Sequence, residues 1–190
     1  MQRKWAFVAL AILLCGSVQA SAEDLISGFL CCNMHSDGQE ISDLSIGGPE
    51  RHVVPVGSPI RATSYGKHRV KVVVENKNQT LLNDYSRDLP IAQFARRFIV
   101  QDDPAVKIKS FPQNIQYAIA AGHLVKGMTR EQVLMSVGYP ASSEVANLSS
   151  NEWLFWITNE VQYRVKFDDK ERLADVENVV DAKATLLKEQ

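Results

Sequence analysis

Paired histidines, abundant cysteine and an excess of either charge are all missing from this sequence. Its four histidines, His35, His52, His68 and His123, fall into no His-x-x-x-His or Glu-x-x-His arrangement, so no helix face offers two metal ligands one turn apart. A Gly-x-Ser-x-Gly elbow, a phosphate loop and a dinucleotide fingerprint are lacking too, which removes the usual marks of serine hydrolases, nucleotide hydrolases and dehydrogenases. The 21 basic and 22 acidic residues nearly cancel. Nucleic acid is an unsuitable partner for such a chain, because phosphates need a basic face to neutralise them. Cysteine occurs three times, as Cys15, Cys31 and Cys32. The stretch Cys31-Cys32-Asn33-Met34-His35 has soft ligands but no second ligand pair, and a closed zinc site wants four. No metal, no cofactor and no enzymatic activity are expected.

Only one long apolar run is present, at residues 5–15, preceded by Arg3 and Lys4 and followed by Gly16-Ser17-Val18-Gln19-Ala20-Ser21-Ala22. A short positive region, a short apolar region and small residues at Ala20 and Ala22 predict an export signal over 1–22, cleaved after Ala22. The run is too short for a mature membrane-spanning helix. Acylation at Cys15 is disfavoured because Leu14, not a small residue, precedes it. Removing Arg3 and Lys4 from the 21 basic residues leaves 19 against 22 acidic ones, a formal charge of −3. The expected mature chain is thus a periplasmic or outer-membrane-associated protein without a transmembrane anchor. In an oxidising compartment cysteines pair. Cys31 and Cys32, being adjacent, either bridge each other or pack as two buried thiols; alternation along a strand sends them to opposite faces and favours the thiols. A Cys31 or Cys32 nucleophile helped by His35, His52 or His68 has no support in the spacing.

Two halves differ in rhythm. Residues 23–100 read as a β-rich domain: short strands at 28–33, 51–54, 59–63, 69–74 and 79–82, separated by a polar loop over 36–50 and by turns at 65–68 and 76–78. A short helix over 90–99, with Ile91, Phe94, Ala95 and Phe98 on one face and Asp88 as its cap, closes this half. Gln101-Asp102-Asp103-Pro104 reads as the boundary. Residues 101–190 read as two helices and three strands. The first helix covers about 113–124; the second opens with a Thr129–Gln132 capping box and stops at Gly138 and Pro140. Strands follow at 152–157, 160–167 and 172–176, the last two joined by a turn at Asp168-Asp169-Lys170-Glu171. The acidic doublets Asp102-Asp103 and Asp168-Asp169 read as turn residues, since the regular oxygen spacing of a calcium loop is absent.

Two resemblances follow from these residues. Val56-Gly57-Ser58-Pro59-Ile60-Arg61-Ala62 with Arg69-Val70-Lys71-Val72 and a hairpin resembles bacterial SH3-like barrels. Gly127-Met128-Thr129, Gln132-Val133, Gly138-Tyr139-Pro140, Trp153 and Trp156, Tyr163-Arg164-Val165-Lys166-Phe167 and Leu173-Ala174-Asp175-Val176 resemble the SmpA/OmlA family of outer-membrane assembly lipoproteins, the BamE-like domain, over about 113–178. The module also looks like the repeat of a secreted β-lactamase inhibitor. The implied fold class is α+β: a small SH3-like β-barrel followed by a two-helix plus three-stranded antiparallel meander. The implied function is a non-enzymatic adaptor or scaffold that binds other envelope proteins, in outer-membrane or envelope assembly. Trp156, Tyr139 and Arg164 are the expected partner contacts. If Trp153 and Phe155 face the helices, Trp156 faces outward, as an interface residue or as core beneath the other half. The alternatives are a module binding peptidoglycan or its stem peptide through Tyr65, Lys67 and Tyr85, and an inhibitor of an envelope enzyme.

Overall fold

The computed structural model describes residues 24–44, 50–141, 147–157 and 161–178. The export signal read over 1–22, with Cys15, lies outside the described residues. The first part supplies β1 (Ser27–Leu30), β2 (Met34–Ser36), β3 (Glu40–Ser42), β4 (His52–Val54), β5 (Pro59–Tyr65), β6 (Arg69–Val74), β7 (Lys77–Leu82), helix α1 (Ile91–Phe98) and β8 (Ile99–Val100). Together the strands form one eight-stranded sheet in the order β4-β2-β3-β7-β6-β5-β1-β8. The strand β6 shows why: Val70, Val72 and Val74 are buried while Lys71 is exposed, the period of two that a sheet with one covered face requires. The turn into β7 falls on Glu75 and Asn76, both at positive φ (52° and 60°), as a two-residue hairpin turn demands. Helix α1 covers the apolar face with Phe94, Ala95 and Phe98, packed against Leu30, Met34 and Ile41. Full burial of each such large side chain contributes roughly 1.5–3 kcal/mol. Asp88 does not cap α1: Pro90 holds the N-cap position and no side chain bonds there.

The second part contains α2 (Pro104–Ile108), α3 (Gln113–Ala120), α4 (Arg130–Val137) and the strands β9 (Glu152–Trp156), β10 (Gln162–Phe167) and β11 (Leu173–Asn178). The strands form an antiparallel sheet in the order β11-β10-β9. Its inner face carries Trp153, Phe155, Tyr163, Val165 and Phe167, buried against Ile119, Met128 and Val133. Phe155 stacks on Tyr163 at 5.2 Å between ring centres, and Trp153 meets Phe167 edge-on at 4.7 Å. Thr129 and Gln132 make the reciprocal capping box at the start of α4. Arg130 lies over the Phe167 ring at 4.3 Å and donates to the carbonyls of Leu148, Ser149 and Ser150, tying the segment before β9 to the helix.

The expected fold class is therefore corrected. The protein is mostly β, with an eight-stranded curled mixed sheet, a three-stranded sheet and, among the described residues, four short helices of five to eight residues. It is not an SH3-like barrel followed by a two-helix BamE-like domain. Two strands, β2 and β3, arise in or beside the stretch read as a polar loop, and β3 pairs in parallel with β7. After α1 the chain returns as β8 to pair with β1. Periodicity reports which face of a strand is buried, not which strand lies beside it, and these non-local pairings build one wide sheet where local hairpins suggested a barrel. Among the described residues no helix is long and apolar enough to cross a membrane.

Candidate functional site

The most organised feature lies where the two cores meet. β1 ends at Leu30, and residues 31–33 bend before β2. The Cys31 amide donates to the Phe98 carbonyl (2.9 Å), at the end of α1. Asn33, 2% exposed, reaches the other core. Its amide donates to the Met135 carbonyl (3.0 Å), and its Nδ2 donates to Ser136 O (3.1 Å) and Ile119 O (2.6 Å). Its Oδ1 accepts from the Val56 amide (2.9 Å). Helix ends leave carbonyls without partners, and Ser136 cannot be served from its own helix because Pro140, four residues on, has no N–H. One asparagine thus caps the C-terminal ends of α3 and α4 from the opposite core.

Cys31 and Cys32, both buried in this bend, are joined as a disulfide. The reading that favoured two separate thiols is corrected, for a local reason: the strand stops at Leu30, so the alternation that would part the sulfurs does not extend to them. Neither cysteine holds a free thiol for nucleophilic chemistry.

Beside the bend is a cleft of about 290 Å³. Its floor is apolar and rich in sulfur: Cys31, Val100, Pro104, Leu134, Met135 and the Tyr139 ring. Its rim is charged: Asp102, Asp103, Lys107 and Glu131. Asp103 is fixed as the N-cap of α2, its Oδ1 accepting from the Ala105 amide at 2.9 Å. Gly57, at φ +82°, lets the chain pass within reach of that carboxylate; a Cβ there would stand 3.1 Å from Asp103 Oδ1. Lys107 Nζ lies 2.6 Å from Glu131 Oε1, and both side chains are about half exposed. Such a pair contributes at most about 1 kcal/mol and links α2 to α4 loosely. Tyr139 packs edge-on against Phe98 (5.7 Å) under the Arg97 guanidinium (5.0 Å). Burial raises its phenol pKa, while Arg97 pulls it back.

The structure separates Tyr139 from Trp156 and Arg164, and brings Tyr65, Lys67 and Tyr85 to one end of the large sheet. Of the first set, only Tyr139 lines the cleft. Trp156 and Arg164 share the outer face of the three-stranded sheet, where Trp156 is half-buried and Arg164 pairs with Glu152 at 3.4 Å. The Trp156 indole N–H is buried with no hydrogen-bond partner among the described residues. That face otherwise bears a ladder of opposite charges, Lys166 pairing with Glu152 at 3.6 Å and Glu177 at 2.5 Å. Of the second set, Tyr65 lies at the end of β5, its hydroxyl donating to Asp24 O at 3.3 Å. Lys67 sits in the exposed turn that follows. Tyr85, 42% exposed, lies just beyond β7 at the same end of the sheet, its amide donating to Asp43 Oδ2 at 3.0 Å. Sequence reasoning missed the cleft itself. One signal was available: Asp103-Pro104 is an N-cap followed by proline at the first helical position, and it starts α2 where a boundary was read.

Among the described residues no group of three or more His, Cys, Asp or Glu side chains could hold a metal ion. No known protein family, curated protein or solved structure matches this chain.

Proposed function

We propose that the chain is an exported, non-enzymatic binding protein of a bacterial cell envelope, periplasmic or associated with the outer membrane, that acts by engaging other envelope proteins. The observation that carries this reading is the cleft between the two cores: an apolar floor with a charged rim is the composition of a protein-docking patch. The Cys31–Cys32 disulfide, whose Cys31 lines the cleft, supports export, because such bonds persist in oxidising compartments. Proteins of outer-membrane and envelope assembly are the first partners to test.

Crosslinking in intact cells, followed by purification of the tagged protein from the envelope and reconstitution with each purified candidate, tests the proposal. A stoichiometric complex with an envelope protein is the expected result. Co-sedimentation with purified sacculi, with no protein complex formed, would move the function to peptidoglycan binding near Tyr65, Lys67 and Tyr85. Recovery of the protein in the cytoplasm at full length would refute export.

A further inference from the structure

We infer that the cleft takes a single large apolar side chain from a basic segment of its protein partner. This rests on the binding-protein reading above and adds the chemistry of the partner. Two observations carry it. The first is size: about 290 Å³ lies just under the 300–1,000 Å³ typical of pockets that enclose whole small molecules, and it suits one anchor side chain of the Leu, Met or Phe kind.

The second observation is charge. The rim has three carboxylates, Asp102, Asp103 and Glu131, against one ammonium, Lys107. That ammonium is already paired with Glu131 at 2.6 Å. Asp103 is directed to the Ala105 amide at 2.9 Å, while Asp102 is exposed beside it. Arg97 lies over the Tyr139 ring at 5.0 Å and does not line the cleft. The mouth is therefore negative. Anchor residues seated in a desolvated pocket and ringed by complementary charge are the usual division between affinity and specificity at protein interfaces. The floor suits anchors of several shapes, because Met135 and Cys31 bring polarisable sulfur to it and the methionine side chain is flexible. An occupant with flanking lysine or arginine also competes for Glu131, whose exposed pair with Lys107 opens at little cost.

The test uses the full chain and a randomised octapeptide display library. Selection is expected to enrich peptides with one large apolar residue flanked by lysine or arginine. Fluorescence anisotropy with a selected peptide is expected to show binding weakened at least tenfold by Asp102→Lys, a change at an exposed position, and by raising the salt. The site is read independently by labelling methionine methyl groups: Met135 lines the cleft, whereas Met34 and Met128 are fully buried elsewhere. Met135 is expected to shift on peptide binding while Met34 and Met128 stay in place. Enrichment of acidic peptides, no enriched motif, binding unaffected by Asp102→Lys, or a silent Met135 would each overturn the inference. If the peptide selection fails while the in-cell complex forms, the binding-protein reading stands and only the chemistry assigned to this cleft falls. If no envelope complex forms, that reading falls whatever peptides are selected.

Discussion

Replacing Asn33 is the sharpest perturbation the structure offers. Among the described residues its side chain bonds across the junction to Ile119 O, Ser136 O and the Val56 amide. In Asn33→Ala all three are lost. Ile119 O retains the Gly122 amide at 3.1 Å, but Ser136 O, placed four residues before Pro140, and the Val56 amide lose these bonds with no substitute. Leaving a buried polar group unpaired costs about 1–3 kcal/mol, so the expected destabilisation is about 2–4 kcal/mol, a large part of a typical 5–15 kcal/mol total. Asn33→Asp adds a signature of its own. Its carboxylate would face two carbonyl oxygens in a buried site, so its folded pKa would rise above the unfolded value of about 3.9. The native state then binds more protons than the unfolded state, and stability falls as pH rises through that interval. Urea unfolding followed by tryptophan fluorescence, from Trp153 and Trp156 of β9, and by circular dichroism measures both effects. The two probes are expected to coincide in the unmodified protein, because the cores are bonded to each other, and Asn33→Ala is expected to lower the midpoint. A loss under about 0.5 kcal/mol for Asn33→Ala, or pH-independent stability for Asn33→Asp, would refute the capping role.

Other outcomes follow from the same structure. Gly28→Ala is expected to cost about 2 kcal/mol or more in a urea melt, because a Cβ would stand 2.1 Å from the Val100 carbonyl, where β1 pairs with β8. Asp43, 1% exposed, has its pKa raised above 3.8, first by burial and further by the charge of Asp84. Its native form holds a proton more readily than the unfolded chain, so this contribution is present at low pH and lost as pH rises through the folded pKa. Asp43→Asn is therefore expected to stabilise the protein at neutral pH, with the gain vanishing below the unfolded value. Arg130→Ala is expected to lower hydrogen-exchange protection of β9, since it removes the carbonyl bonds to residues 148–150 and the stacking on Phe167. Alkylation of denatured, unreduced protein is expected to label neither Cys31 nor Cys32, and both after reduction.

Some local signals in the sequence read through to the structure, though the cap read at Asp88 did not, and long-range pairings were not legible. The Thr129–Gln132 capping box is decided by four neighbouring residues, and Val70, Val72 and Val74 show their buried face by alternation alone. Three-residue strands such as β2 and β3 have too few side chains to show a period, and they exist because β4 and β7 supply their partners. That is also why the sheet was mistaken for a barrel. The cleft was illegible for the same physical reason: its floor and rim come from residues 31, 100–107 and 131–139, which only the folded junction brings together. Trp156, conspicuous in the sequence, lies instead on a sheet face dominated by paired charges.

Site-specific photocrosslinking in living cells tests the central claim most directly. A photoreactive residue is placed at Leu134 in the cleft, at Trp156 on the outer sheet face, or at Lys67 at the sheet's end. Crosslinks to an envelope protein from position 134, suppressed when Asp102→Lys is added, are the predicted result. Crosslinks arising from position 156 or 67 while 134 stays silent would contradict it.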